Sequence, residues 1–352
     1  MFESLQIYLI VLSFVNVVWS DLPTQSLGIS GNFLTTSVGI GQPAQYFDLA
    51  ITLNSDNLII LDAKAQNVQL DFQYDYIKEM FFPEISNTAN VTNLICRQHF
   101  GYFKTNKKPS GHYVADTITF CDNYFETPVR FCDFDTKRTA DTLSDDPLHG
   151  FMMLNIDGFL GLKPGKENIL QQLIPPDSSL QLTFYVDKNA QDPDAAGWMT
   201  FGGKDTTHCG TFRSFPSEDA DSFSAWVTGT SFNGVSESDT YTAIFDLPYN
   251  DGMVVPEDVY NDISYYFDDQ PKHFYCSSYA NPPDLSVNFY GKWYIISIKD
   301  LIVKQSPQYC SLQMTAADSD DEYQFVFGRN FFNEYCLFLD YEDSLIGLAS
   351  VK

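Results

Sequence analysis

Positive charge is scarce in this sequence. Lysine and arginine together number 20 against 46 aspartates and glutamates, for a formal net charge of -26. A polyphosphate chain would be repelled by that balance, so no nucleic-acid partner is expected. The five histidines are scattered and no two cysteines form a C-x-x-C pair, so neither a metal site nor a cofactor is expected. A G-x-S-x-G nucleophile elbow is missing. Gly161 to Lys166, GLKPGK, lacks both the spacing and the Ser/Thr of a phosphate-binding loop. Beyond the first 20 residues no apolar run approaches the roughly 20 residues that a membrane span needs, so no membrane partner is expected.

The apolar run that does occur, Ile7 to Trp19, is itself short for a span and ends at Val18-Trp19-Ser20, with small residues three and one before Asp21. Residues 1–20 are therefore expected to be a signal peptide, although Glu3 stands where a basic residue is usual. The expected location is secreted or extracellular, with an acidic lumen such as gut or lysosome suited to the carboxylate excess. Seven cysteines in a secreted chain imply disulfides and one leftover thiol. The single sequon, Asn90-Val91-Thr92, is expected to be glycosylated. A chain of 352 residues can form two lobes, and 30 Phe and 21 Tyr favour a mostly β structure.

The most informative stretch is Phe47 to Ile60, FDLAITLNSDNLII. Alternation at Phe47, Leu49 and Ile51 predicts a half-buried strand that runs into a polar turn and a second apolar run. It resembles the first active-site loop of pepsin-like aspartic proteases, F-x-V-x-x-D-T-G-S-S-N-L-W-V, with Phe47, Ser55, Asn57 and Leu58 in step. The position of the first catalytic aspartate holds Thr52. Further segments follow in the family's order: Gly39 to Phe47 around the Gly41-Gln42-Pro43 turn, then Asp157-Gly-Phe-Leu-Gly-Leu162. Gly197-Trp-Met-Thr-Phe-Gly-Gly203, Phe325 to Phe332 and Ile346-Gly-Leu-Ala349 continue the pattern. The resemblance implies a bilobal pepsin-like acid protease fold with a cleft between the lobes. The expected N-terminal lobe is 28–188 and the C-terminal lobe 197–352, joined by the turn-rich Asp187–Ala196. Only about ten residues separate the signal from the first matched strand, so no prosegment of family length is expected.

Thr242 to Pro256, TAIFDLPYNDGMVVP, resembles the second catalytic loop, A-I-V-D-T-G-T-S. Asp246 holds the aspartate position, and Leu247-Pro248 replaces Thr-Gly. The family's chemistry needs two carboxylates sharing a proton, one activating water while the other polarises the scissile carbonyl. With Thr52 as partner, Asp246 is expected to be vestigial. Asp48 and Asp56 are the candidates for a replacement acid. Phe100-Gly101 aligns with the flap Tyr-Gly, without the tyrosine hydroxyl. The resemblance also implies disulfides Cys276–Cys310 and Cys209–Cys336. Of the remaining three cysteines, Cys121 and Cys132 can bridge two hairpin arms and leave Cys96 free. The leading expectation is a secreted, catalytically inactive homologue, monomeric, whose cleft holds a peptide or protein. The alternatives are a working acid endopeptidase and a structural or storage protein whose cleft binds nothing.

Overall fold

The computed structural model describes residues 23–30, 33–63, 79–97, 110–120, 123–134, 156–165, 168–173, 179–246, 252–279, 281–318 and 321–352. The expected signal peptide, 1–20, lies outside them, as do Phe100-Gly101, Cys121 and Leu247-Pro248.

Strands dominate. A 13-stranded sheet, an 8-stranded sheet and a 3-stranded sheet account for the architecture, and helices are short. Six strands of the large sheet lie side by side: Arg213–Pro216, Leu345–Ser350, Tyr335–Asp340, Gln181–Val186, Gly197–Phe201 and Thr24–Ser30. They draw on both ends of the chain and on its middle, so this part of the sheet ties the two halves together. Thr24–Ser30 does two jobs. Its first half pairs with Gly197–Phe201 and its second half with Phe33–Ile40. Its Thr-Gln-Ser start and Gly28 weaken the apolar alternation that marks a strand, so the segment reads locally as a spacer.

The predicted strand pair around Gly41 is present as Phe33–Ile40 and Gln45–Thr52, in register from Thr35↔Ala50 to Ile40↔Gln45. Gly41 turns with φ +85°, where a side chain would also meet Ser86 Oγ at 2.6 Å. Asn90–Arg97 pairs antiparallel with Ser110–Phe120. Burial alternates only at the start of Gln45–Thr52, where Phe47 and Leu49 are buried on either side of exposed Asp48. Ala50, Ile51 and Thr52 are all buried, so the end of that strand is covered on both faces rather than half-buried. One continuous apolar cluster runs from Leu27 through both halves to Leu348.

The cysteine expectation needs a correction. The disulfides are Cys96–Cys132, Cys209–Cys336 and Cys276–Cys310. Cys132 lies nine residues along its strand from Asn123, about 30 Å, and is bonded to Cys96, while Cys121 lies outside the described residues. Register instead places Cys132 opposite Tyr113 and Cys96 opposite Gly111, two residues away, and the Cα atoms of Cys96 and Cys132 are 5.9 Å apart.

Candidate functional site

Each half of the molecule builds the same device. In the first, Gln45–Thr52 runs parallel to Gly158–Gly161, which in turn lies antiparallel to Leu58–Leu61. The inserted strand needs its glycines, because a Cβ on Gly161 would lie 2.4 Å from Asn57 O and 2.5 Å from Ser55 O. In the second half, Tyr241–Phe245 runs parallel to Phe325–Phe327, which lies antiparallel to Met253–Val255. The outer strands repeat as well: Leu58–Leu61 is parallel to Asn123–Phe134, and Met253–Val255 is parallel to Met314–Ala316.

Register makes Thr52 and Asp246 counterparts. Thr52 is the last residue of its strand and sits opposite Gly161. Phe245 sits opposite Phe327, and the Asp246 N–H donates to Phe327 O at 2.9 Å, so Asp246 leaves its ladder at the equivalent step. The two side chains meet across the halves. Thr52 Oγ1 donates to Asp246 Oδ1 at 3.4 Å, a long contact, and accepts the Asn54 N–H at 3.0 Å. Both residues are buried, 1% and 2% exposed.

The threonine hydroxyl makes both contacts at once: its oxygen accepts from the loop amide and its proton points toward Asp246. A neutral hydroxyl cannot alternate with Asp246 between general base and general acid, which a proton-sharing carboxylate pair does.

The loops around the pair are held by backbone bonds. Gly161 N–H donates to Asn57 O, Lys163 N–H to Ser55 O and Leu162 N–H to Thr52 O, all at 2.8–2.9 Å. Tyr341 Oη then donates to Leu162 O at 2.5 Å, joining the C-terminal segment to the first loop. Burial holds the Tyr341 phenol well above its ordinary pKa, with a bond from Asn168 pulling the other way, so it stays a donor. Sequence reasoning missed Tyr341, because nothing local connects it to a carbonyl 179 residues away.

The candidate replacement acids lie elsewhere. Asp48 stands opposite Ser37 in the ladder. Desolvation first, and then the charges of Asp157 and Asp194, push its carboxyl above the ordinary range. Asp56 Oδ1 accepts from Asn57 Nδ2 at 3.1 Å. Asp157 is structural: its two oxygens accept the Asp48 N–H at 2.8 Å and the Glu79 N–H at 2.9 Å. Among the described residues one group of carboxylates, Glu237, Asp239 and Asp258, is close enough to hold an ion; it is largely exposed and flanks the Thr242–Pro256 segment in sequence.

Two β-rich lobes, each presenting the end of a strand-insertion loop to the other, define the bilobal acid-protease class. The chain belongs to the eukaryotic aspartyl protease family, whose model matches residues 34–351. A comparison with curated proteins gives no match.

Proposed function

We propose that this protein is a catalytically silent aspartic-protease homologue that acts by holding a peptide or protein in the cleft between its lobes. The observation that carries the reading is the Thr52 hydroxyl facing Asp246 Oδ1 at the step where a second carboxylate would have to stand. The fold machinery around that step is intact, down to the glycine of the inserted strand. A lone general base contributes about 10²- to 10⁴-fold, far short of what peptide hydrolysis requires. The competing reading, a working acid endopeptidase, needs another acid against Asp246, and the surroundings of Asp48 and Asp56 support neither.

Three disulfides suit an oxidising compartment, and no helix among the described residues is long and apolar enough to cross a membrane. Secretion as a monomer, following cleavage after Ser20, is part of the proposal.

The test is turnover and retention of a mixed peptide library by the folded protein from about pH 2.5 to 7, the range spanning free carboxylate pKa values. Retention of a defined peptide set, competed by a statine-type transition-state mimic and without cleavage, is expected. Cleavage that disappears in an identically prepared Asp246→Ala protein would overturn the proposal in favour of an enzyme.

A further inference from the structure

Among the described residues, the edge of the large sheet formed by Asn90–Arg97 is apolar and paired on one side. Asn90–Arg97 is the last strand in the sheet's order and pairs on one side, with Ser110–Phe120. Along it Val91, Leu94 and Ile95 are 53%, 57% and 60% exposed. Among the described residues, its hydrogen bonds run to Ser110–Phe120 or stay within the strand, as Thr92 Oγ1 to Tyr113 O at 2.7 Å and Leu94 N–H to Thr92 Oγ1 at 3.2 Å. An edge of this kind offers free backbone groups and apolar side chains to any second strand.

The 8-stranded sheet meets the same hazard from within. Its edge strand, Lys292–Ile296, also exposes Trp293 and Ile295. There the Tyr335 phenol occupies the edge, accepting the Ile295 N–H at 2.8 Å and donating to Ile295 O at 3.1 Å. Asn90–Arg97 shows no such plug among the described residues, and instead it carries the chain's one sequon at its first residues. Asn90 is exposed at the head of the strand. From there to Ile95 the strand covers about 17 Å, within the footprint of a branched oligosaccharide.

We propose that an N-linked glycan on Asn90 is the cover for this edge and keeps it from pairing with the same edge of a second copy. The group transferred is an oligosaccharide from a lipid-linked diphosphate donor. Asn90 Nδ2 forms the new bond to the anomeric carbon and loses a proton as the lipid diphosphate leaves. The three disulfides place the chain in the kind of compartment where that donor is used. A bulky, hydrated chain at the head of the strand blocks lateral approach without altering the fold.

The experiment takes protein secreted from a eukaryotic host and maps the Asn90 peptide by mass spectrometry. The folded protein is then deglycosylated enzymatically, and sedimentation is followed against concentration. The glycan is expected on Asn90, the intact protein is expected to sediment as a monomer, and removal is expected to tighten self-association about ten-fold or more. Ile95→Lys, which places a charge on the edge, is expected to abolish that gain in the deglycosylated protein. Unmodified Asn90, unchanged sedimentation after deglycosylation, or association that persists in Ile95→Lys would each overturn the proposal. Because the glycan is removed after folding, failure of Asn90→Gln to fold does not confuse the outcome.

Discussion

Thr52 and Asp246 leave their strands at equivalent steps of two ladders built to one plan, and only one of them is an acid. Around Thr52 the supporting side chains are aliphatic: Leu49, Ile51, Leu58 and Leu160 are all fully buried. Around Asp246 they are aromatic. Phe245 has ring neighbours in Phe327 at 5.5 Å and in Phe289 and Phe331 at 5.8 Å. The comparison separates what a strand-insertion loop needs from what catalysis needs. Tight backbone approach at the inserted strand, shown by Gly161, serves the loop. The residue at the loop's tip, threonine in one half and aspartate in the other, is where the two devices differ.

The sharpest way to break that comparison is Thr52→Asp, which restores an acid at the end of the first ladder. We expect acid-dependent cleavage of a mixed peptide library about 10²-fold or more above the unaltered protein, lost again in a Thr52→Asp, Asp246→Ala double variant. No gain would count against Thr52 as the residue that limits catalysis and point to the loop residues that follow it, among them Asn54.

The packing contrast comes next in size. Phe245→Ala is expected to cost about 3–5 kcal/mol, and Ile51→Ala, the like truncation at the matching position of the other lobe, about 2–4 kcal/mol. Urea denaturation followed by circular dichroism measures both. Equal costs would mean that the aromatic surroundings of Phe245 add nothing to its loop.

A smaller effect tests the hydroxyl itself. Thr52→Val leaves the Asn54 N–H without its acceptor and removes one donor from buried Asp246, a loss of about 1–3 kcal/mol. Thr52→Ser keeps both bonds and is expected to recover most of that loss in the same denaturation assay.

The smallest effects sharpen the comparison through pH. Burial alone would raise the Asp205 carboxyl. The His208 ring and the His208 and Thr207 amides outweigh burial and hold it below the ordinary value. Its stabilisation is therefore present above the unfolded value of about 3.9 and is lost as pH falls through the lower folded value. Asp48 has the opposite sign. Raised by desolvation, Asp157 and Asp194, it opposes folding at neutral pH and ceases to do so in acid, once it is protonated in both states. Denaturation midpoints measured across pH are expected to show Asp205→Asn destabilising and Asp48→Asn stabilising near neutrality, with both differences shrinking toward pH 3. Differences of the same sign would contradict the assigned surroundings.

Much of the fold was legible because strand period and turn chemistry are local. The alternation at Phe47, Leu49 and Ile51, the Gly41 turn and the glycines of DGFLGL all mark elements that the structure contains. Thr24–Ser30 was not legible, because its pairing partners, Gly197–Phe201 and Phe33–Ile40, supply a stability that its own composition does not advertise. The Cys96–Cys132 bridge was hidden for a related reason. Which thiols meet depends on strand register across three strands, and register is a property of the sheet.

The sequence by itself determined the class of fold and placed a threonine, Thr52, and an aspartate, Asp246, in the two matched segments, since each is written in residue type and spacing. Only the tertiary structure decided that the Thr52 hydroxyl meets Asp246 across 194 positions of chain, and that Tyr341 braces the first loop from the far end. Among the described residues it likewise left one sheet edge plugged by a tyrosine and the other without such a plug beside a sequon. Contacts between distant segments follow from how whole sheets pack and twist, and no window of sequence contains that information.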